Sequence, residues 1–231
     1  ILKKADNIIA NSKEFAKLLE KKFKIKVQCI YNPLNKKEVI KLSKIKSKNI
    51  FSNKKVLKII NVGRFVDQKD QITLLKAINL IKNKLKIEVR IVGRGIEEKT
   101  LSQYLYKNNL NKIVKLINFQ NNPYPSINNS EIFILTSKFE GLPNVLLEAI
   151  LLNKFVISSN CSTGPKEILD NGKGGLLFEV GDHKELAKKI LFYSENKSIC
   201  RKKLTFAKKR LNRFDYSNNL NQYLNLIKKY L

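Results

Sequence analysis

Apolar runs that alternate with amphipathic stretches are the feature that most constrains the fold of this chain. Runs such as VLKIINVG at 56–63 and EIFILTS at 131–137 have the length and β-branched content of buried strands. The stretches between such runs show helical spacing over about ten to fifteen positions, an alternation that predicts βαβ units and a parallel sheet. Crossover helices cover both faces of such a sheet. The predicted class is therefore α/β, with a parallel sheet and helices on both faces.

The predicted elements run along the whole chain. Residues 34–55, rich in Lys, Ser and Asn, are predicted as a connection with some helix, and 121–130 (NNPYPSINNS) as a polar loop. The predicted strands are 7–10, 27–33, 56–63, 87–93, 113–119, 131–137, 155–160 and 175–180. The predicted helices are 14–23, 71–84, 97–109, 143–153, a short one at 164–172, 183–196, and an amphipathic helical tail from about 198 onwards.

The charge balance indicates which macromolecules to expect as partners. Lys and Arg total 46 against 19 Asp and Glu, a formal net charge of +27. The excess is nearly all Lys, whereas Arg, the preferred reader of phosphate and guanine geometry, occurs six times. The charge is either a drift of composition or an attraction to polyanions. In the second case the pattern favours an anionic membrane surface, and no specific nucleic acid is expected.

The location predicted from these features is cytoplasmic, with peripheral contact to the inner face of the cell membrane. Cys29, Cys161 and Cys200 are dispersed and form no CxxC pair, which is typical of reduced thiols and not of a disulfide framework or zinc site. No apolar run approaches the roughly 18 residues of a membrane span, and the first residues lack a signal-peptide pattern. The chain contains no Met, from which we expect it to begin inside a longer reading frame.

The loops that follow the strands carry the candidate site, because ligands of parallel α/β sheets bind beyond the carboxyl ends of the strands. In LTSKFEGLPNVLLE, Pro143 suits the first turn of a helix. Gly141 allows the backbone to approach a ligand closely, and the helix start presents free amides that favour a phosphate. Glu148, one turn further on, can accept hydrogen bonds from a ribose diol. The alternative is an ordinary amphipathic helix with a solvent-facing Glu148.

A second loop, NVGRFVDQKD, carries two cations. Arg64 and Lys69 lie five residues apart around a turn between a predicted strand and a predicted helix. The guanidinium of Arg can donate two parallel hydrogen bonds and the ammonium of Lys provides a point charge, so the pair can bracket a pyrophosphate. Two ordinary surface cations are the alternative, but both loops follow strands and therefore lie at the same edge of the sheet. Glu140, which precedes the helix start of the other loop, would then face the group attached beyond the phosphates.

Together these segments resemble the retaining, GT-B-fold glycosyltransferases that are often called family 4. NVGRFVDQKD is similar to the Gly-Arg…Lys loop of that family, IVGRG to its short glycine turn, and the stretch from Glu140 to Glu148 to its E(x7)E motif. CSTGPKEILDNGKGGLLFEVGDHKELAKKI is similar to the segment that comes after the motif, and IIANS and IYNPL to the end of the N-terminal domain. The resemblance covers nearly the whole chain and implies a Rossmann-like sheet.

The resemblance also implies roles for individual residues. Arg64 and Lys69 would neutralise the donor diphosphate and Glu140 would contact the donor sugar, which makes these three the catalytic candidates. Glu148 would hold the ribose. The other candidates for nucleotide binding are Gly63, Gly93, Phe119, Gln120, Gly141, Leu142, Asn144, Val145 and Leu146, with the backbone of 119–120 beside the base and the amides of 144–146 at the diphosphate. No metal or other cofactor is expected, since the cations and the helix start stabilise the departing diphosphate and the chain has no Asp-x-Asp pair.

The resemblance further implies a domain organisation and a reaction. Residues 1–33 would end an N-terminal Rossmann-like domain, 34–55 would connect the domains, 56–197 would form the C-terminal donor-binding domain, and 198–231 would cross back to the first domain. The expected enzyme, of the hexosyltransferase type, transfers a sugar from a UDP-linked donor to a glycan or lipid-linked acceptor in cell-envelope polysaccharide synthesis. About half of it has no counterpart here, so the chain is expected to be a fragment, a subunit or a decayed remnant.

Other interpretations stay open. The chain could be a module that binds a nucleotide-sugar without turnover, or a lysine-rich nucleic-acid binder with a steep salt dependence and no need for Glu148. A glycosidase pair formed by Glu140 and Glu148 is disfavoured, because a helix start divides the two carboxylates. His183 follows Asp182 in GDHKEL, where Asp182 and Glu185 predict a capping box, so we expect it to be solvated. Arg94 stands where the family often has an acidic or small residue, so ligand contacts there are expected to differ.

Overall fold

The centre of the molecule is a six-stranded sheet, and the computed structural model describes residues 5–52 and 55–229. The strands are β1 (Ile9–Ala10), β2 (Gln28–Cys29), β3 (Leu57–Val62), β4 (Ile87–Val92), β5 (Val114–Ile117), β6 (Ile132–Leu135), β7 (Phe155–Ser159) and β8 (Leu176–Phe178). The helices are α1 (Lys13–Phe23), α2 (Lys36–Ser43), α3 (Gln71–Ile81), α4 (Glu98–Lys107), α5 (Tyr124–Asn128), α6 (Asn144–Leu151), α7 (Pro165–Ile168), α8 (His183–Glu195), α9 (Lys197–Arg210) and α10 (Tyr216–Ile227). Two 3-10 turns, Asp67–Lys69 and Leu211–Phe214, precede α3 and α10.

The sheet is parallel throughout, in the order β5-β4-β3-β6-β7-β8. The chain first builds outward from β3 to β4 and β5, and then returns so that β6 pairs with the other side of β3. At such a point, where the strand order reverses, the connections leave toward opposite sides. A crevice therefore opens between them at the carboxyl edge of the sheet. The predicted α/β class, with a parallel sheet and helices on both faces, is confirmed.

Neighbouring strand residues supply the two separate cores on the two faces of the sheet. Ile59 and Ile60 are both fully buried, but Ile59 packs in the core that includes α3 and α8, and Ile60 in the core that includes α6 and α9. Successive side chains of a strand point to opposite faces, and both faces are covered here. This is why the strands read as continuous apolar runs and not as alternating patterns.

The first described residues form a small unit of their own. β1 and β2 pair in parallel around α1, and Ala10, Ala16 and Val27 form a separate apolar cluster. Just after β2, two hydrogen bonds tie the chain to its C-terminal end, from the Leu34 amide to Phe214 O at 2.9 Å and from the Tyr223 hydroxyl to Ile30 O at 3.2 Å. The domain boundaries themselves stay predictions.

The segment 121–130 is not the polar loop that we predicted, because residues 124–128 form α5. The Tyr124 amide donates to Asn122 Oδ1 at 3.2 Å, and Ile127 is fully buried in the core that includes α6. Pro125 and Ser126 are buried as well, and Tyr124 packs against the same core. A helix of five residues is too short to show an apolar periodicity in the sequence.

The start of α8 also differs in part from its prediction. Asp182 Oδ1 accepts from the Glu185 amide at 2.8 Å, as a capping residue does. The Glu185 carboxylate, however, accepts from the Glu179 amide at 2.9 Å and so holds the preceding strand end.

Among residues 5–52 and 55–229, no helix combines the length and the apolar character that crossing a membrane requires.

Candidate functional site

A cleft of about 740 Å³ opens at the carboxyl edge of β3, β4 and β5. The three strands are neighbours in register, with Val62 beside Val92 and Val92 beside Ile117, so the loops that come after them lie side by side. Six predicted residues line the cleft, namely Gly63, Arg64, Gly93, Phe119, Gln120 and Glu148. The other lining residues are Val62, Val66, Val92, Arg94, Gly95, Ile96, Asn121, Pro123 and Tyr124.

Glycine backbone holds the first two of these loops together. A Cβ on Gly93 would lie 2.0 Å from the carbonyl oxygen of Gly63, so no other residue fits at this position without displacing the backbone. Gly95 has a φ of +155°, and a Cβ added there would lie 2.3 Å from the carbonyl oxygen of Phe65. The Phe65 amide donates to Arg94 O at 2.8 Å. The loops after β3 and β4 therefore pack backbone to backbone along the floor of the cleft.

Lys69 and Glu140, two of the predicted catalytic residues, lie beside the cleft and contact each other. Lys69 Nζ is 2.5 Å from Glu140 Oε1, and the two side chains are only 17% and 9% exposed. The Ser137 hydroxyl donates to the same oxygen at 2.6 Å. The loops that carry them are joined by further bonds, since the Thr136 hydroxyl donates to Lys69 O at 2.8 Å and the Lys138 amide to Gln68 O at 2.8 Å.

The turn that carries Glu140 is supported from the loop after β7. The Thr163 hydroxyl donates to the Glu140 carbonyl oxygen. Gly164, with φ +91°, packs so closely on the Gly141 carbonyl that an added Cβ would lie 2.3 Å from its oxygen. Cys161 is buried in the same loop, and burial together with the nearby negative charge of Glu140 raises the pKa of its thiol to about 11. The thiol is therefore protonated at neutral pH, and it packs as an apolar group.

The start of α6 offers backbone amides beside this turn. Pro143 precedes the helix, and within the described ranges no side chain caps its first amides. The Leu146 amide donates to Pro143 O at 3.0 Å, and the Leu142 and Leu146 side chains are buried in the core. Asn144 is exposed and its Oδ1 accepts from Asn32 Nδ2 at 2.9 Å. The amides of Asn144 and Val145 are thus the ones best placed for an anion.

Glu148 lies one turn into α6 and its carboxylate closes the side of the cleft. The Tyr124 hydroxyl donates to Glu148 Oε1 at 3.2 Å. Burial raises the pKa of Glu148, and the hydrogen bond from Tyr124 lowers it by less. Burial and the Glu148 carboxylate raise the pKa of Tyr124 to about 12. The alternative of a solvent-facing Glu148 therefore does not describe this side chain.

Sequence reasoning missed several residues that shape the site. Tyr124 belongs to the segment that we predicted as a loop. The hydroxyl of Ser137 reaches Glu140 from three residues earlier in the same loop, and that of Thr163 reaches it from the loop after β7. Ser126 likewise donates to Gln120 Oε1 at 2.8 Å and so fixes the end of the loop after β5. The resemblance flagged Arg94 as a departure, and nothing in the sequence marked the others.

Comparison with known families decides what kind of protein carries this cleft. The family model of glycosyl transferases group 1 matches residues 43–210, which include the whole of the large sheet. This chain belongs to the glycosyl transferases group 1 family. An uncharacterized glycosyltransferase of Methanocaldococcus jannaschii is 36% identical over 176 residues, which make up 72% of this chain and 43% of that protein.

A further curated glycosyltransferase and a solved structure extend the comparison. The Campylobacter jejuni N-acetylgalactosamine-N,N'-diacetylbacillosaminyl-diphospho-undecaprenol 4-alpha-N-acetylgalactosaminyltransferase is 31% identical over 107 residues, 46% of this chain and 29% of that protein. The crystal structure of Anabaena HepE in complex with UDP superposes with a TM-score of 0.81 at 21% identity, over 97% of this chain and 64% of that one. The chain thus has the fold of a GT-B glycosyltransferase, and it spans less than half of the length of these two curated relatives.

In this group 1 glycosyltransferase chain, the carboxyl edge combines cations, helix amides and carboxylates. Arg64 and Glu148 line the same cleft, the Lys69–Glu140 pair joins the loops after β3 and β6, and the open amides of α6 follow Glu140 in the chain. Cations and a helix start can hold a diphosphate, and a partly buried carboxylate can accept hydrogen bonds from neutral hydroxyls. A group with phosphate at one end and hydroxyls at the other therefore fits the arrangement.

Proposed function

We propose that this chain supplies the donor-binding part of a retaining glycosyltransferase that transfers a hexose-type sugar from a UDP-linked donor. The observation that carries the proposal is the cleft itself, in which Arg64 and the glycine turns of β3 and β4 face Glu148 on α6. Arg64, Lys69 and the amides of α6 bind the diphosphate, and Glu148 accepts from the ribose. Glu140 contacts the sugar near its anomeric carbon. The UDP bound in the Anabaena structure supports the choice of nucleotide.

Departure of the diphosphate is helped by charge that is already in place. The transition state gains negative charge on the leaving group, and preorganised cations and amides stabilise that charge without reorganisation. We propose that Arg64 and Lys69 supply this stabilisation and that no resident metal is needed. Addition of EDTA should then leave nucleotide affinity and transfer unchanged, and a fall on EDTA treatment that Mg²⁺ reverses would contradict this part.

We propose a glycan or a lipid-linked acceptor in cell-envelope polysaccharide synthesis, reached at the inner face of the membrane. The Campylobacter relative carries diphospho-undecaprenol in its name, and the net charge of +27 favours approach to an anionic lipid surface. NMR of the first-formed product determines its anomeric configuration and so tests for retention. An inverted anomer would overturn the mechanism but not the donor site.

Donor binding is tested by calorimetric titration of the 231-residue chain with UDP, GDP, ADP and their common sugar conjugates. UDP should bind saturably, and Glu148→Ala and Lys69→Ala should each weaken it by about tenfold or more, because each removes a charge-assisted hydrogen bond. Lys188→Ala and Glu195→Ala, which change exposed charges on α8, serve as matched controls and should have no effect. Unchanged affinity in both site variants, with a steep dependence on salt, would favour a nucleic-acid binder instead.

A further inference from the structure

The start of α1 and the loop after β7 exchange hydrogen bonds through two carboxylates. Glu167, in α7, accepts from the backbone amides of Lys13 and Glu14, each at 3.1 Å. In return, Glu14 Oε2 accepts from the Gly164 amide at 3.1 Å. The Tyr31 hydroxyl, just after β2, also donates to the Glu167 carboxylate. We call these bonds the clasp, because each of the two segments holds the other.

The amides that Glu167 accepts from are ones that α1 itself leaves without a partner. The first amides of a helix have no carbonyl of the preceding turn to bond to. The Ser12 side chain caps α1 by accepting from the Phe15 amide at 3.1 Å, which leaves the two amides between them to Glu167. A carboxylate at a helix start is also attracted by the helix dipole. The clasp therefore holds α1 firmly against the loop after β7.

The clasp lies directly beside the turn that follows Glu140. The backbone of Gly164, with φ +91°, packs so closely there that an added Cβ would lie 2.3 Å from the Gly141 carbonyl oxygen and 2.7 Å from Pro143 Cδ. Gly141 also meets the first unit directly, since a Cβ on it would lie 3.3 Å from Asn11 Oδ1. The turn is thus in contact with both segments that the clasp joins.

A further contact reaches the first residue of α6. Asn32 Nδ2 donates to Asn144 Oδ1 at 2.9 Å, and the Asn144 amide is one of the two that are best placed for an anion. The Gly164 amide is buried, so loss of its acceptor would leave a donor unpaired away from water. The loop after β7 would have to shift to pair it again, and the turn that packs on Gly164 would shift with it.

We propose that Glu14 is a positioning residue for the donor diphosphate, because through Gly164 it fixes the turn before α6 and with it the amides that open this helix. The inference rests on the proposed function, and it places a determinant of phosphate affinity outside the residues that line the cleft. Glu167 supports this role by fixing the start of α1. Hydrogen bonds weaken steeply when donor and acceptor are misaligned, so a small shift of the turn is enough to weaken phosphate binding.

The test compares ligands that differ in their phosphates. UMP, UDP and UDP-glucose are titrated calorimetrically into the unsubstituted chain, Glu14→Ala and Glu14→Gln. We expect Glu14→Ala to weaken UDP and UDP-glucose by about tenfold, because misplaced amides lose their bond to the diphosphate. UMP lacks the second phosphate and should be weakened much less. Glu14→Gln keeps an oxygen that can accept from Gly164 and should retain most of the affinity for UDP.

Glu20→Ala is the matched control on the same helix. Glu20 Oε1 accepts from the Val27 amide at 3.2 Å, so its carboxylate also holds a backbone amide, but within the first unit and away from the clasp. Both alanine variants should lower the Tm, whereas only Glu14→Ala should lower the affinity for UDP relative to UMP. A purely structural role of Glu14 would lower the Tm and leave that ratio unchanged.

Three results would overturn the proposal while the donor site stands. They are an unchanged ratio of UDP to UMP affinity in Glu14→Ala, an equal fall of that ratio in Glu20→Ala, and a loss in Glu14→Gln as large as in Glu14→Ala. Failure of the unsubstituted chain to bind any of the three nucleotides would instead reject the proposed function, and the role of Glu14 with it.

Discussion

Lys69 Nζ lies 2.5 Å from Glu140 Oε1, so the cation expected to meet the donor diphosphate is held by the carboxylate expected to meet the donor sugar. The two residues come from the loops after β3 and β6, which pair at the point where the strand order reverses. Both side chains are largely withdrawn from water, so water screens their attraction only partly. A diphosphate bound as we propose must therefore compete with Glu140 for the ammonium group of Lys69.

Glu140→Gln removes the competing charge and keeps the size of the side chain. We expect the affinity for UDP to rise by about three- to tenfold, because a charge-assisted hydrogen bond that opposed binding is weakened. The affinity for a UDP-sugar should rise less, since the contact expected between Glu140 and the sugar is weakened as well. Calorimetry with both ligands measures the difference. Ser137→Ala, which removes the other donor to Oε1 without a change of charge, is the control. An unchanged or lower affinity for UDP in Glu140→Gln would contradict this view of the pair.

The hydrogen bond from Tyr124 to Glu148 predicts a pH dependence of nucleotide binding. Burial raises the pKa of Glu148, so the carboxylate that we propose as the ribose acceptor is lost at a higher pH than for an exposed glutamate. The Tyr124 hydroxyl stabilises the ionised form, and Tyr124→Phe should therefore move the midpoint of this loss to still higher pH. UDP affinity measured between about pH 4.5 and 8 tests it. Glu148→Gln lacks the titrating carboxyl, so its pH profile gives the contribution of the UDP phosphates, which is then subtracted. Equal midpoints with and without the tyrosine hydroxyl would rule out this coupling.

The same raised pKa predicts that Glu148 costs stability at neutral pH. A carboxyl whose pKa is higher in the folded than in the unfolded state stabilises the fold when protonated, and this contribution is lost as the pH rises through the folded-state pKa. Glu148→Gln should therefore raise the Tm at pH 7 and leave it nearly unchanged at pH 4. In a domain of this size, each kcal/mol corresponds to about 2–4 °C. Thermal unfolding at the two pH values measures it, and an equal shift at both would show that charge burial is not the cause.

Substitution of Gly93 tests whether close backbone packing, and not the conformational freedom of glycine, makes this position important for stability. Gly93→Ala places a Cβ 2.0 Å from the Gly63 carbonyl oxygen, so the loops after β3 and β4 must move apart. Overpacking of this kind costs about 1–3 kcal/mol, and we expect both a lower Tm and weaker UDP binding. Gly63→Ala is the matched control, because its nearest neighbours would be flexible Lys69 side-chain atoms at 3.6 Å or more. Equal losses of stability in the two variants would contradict the argument.

Most of the regular structure could be read from the sequence, and the exceptions have physical reasons. β3, β4, β6 and β7 were predictable because strands covered on both faces are continuous apolar runs. α5 was not, because it is one turn long and depends on the burial of Ile127. Of the residues around the site, Arg64, Lys69 and Glu140 stand in loops after the strands, and Glu148 follows Glu140 at an informative spacing in the helix that comes next. Tyr124, Ser137 and Thr163 act through hydroxyls that no local pattern distinguishes from those of other Ser, Thr and Tyr residues in the chain.

Apart from α5, the sequence by itself determined the order of the main strands and helices, the loops at the carboxyl edge and the family, because apolar periodicity and motif spacing are local properties of a chain. Only the tertiary structure decided that Lys69 pairs with Glu140, that Glu148 bonds to Tyr124, and that Arg94 stacks on Phe119. The first two contacts join positions 71 and 24 residues apart. Such distances along the chain are closed only by the order of the strands in the sheet, and by glycines that let two loop backbones touch.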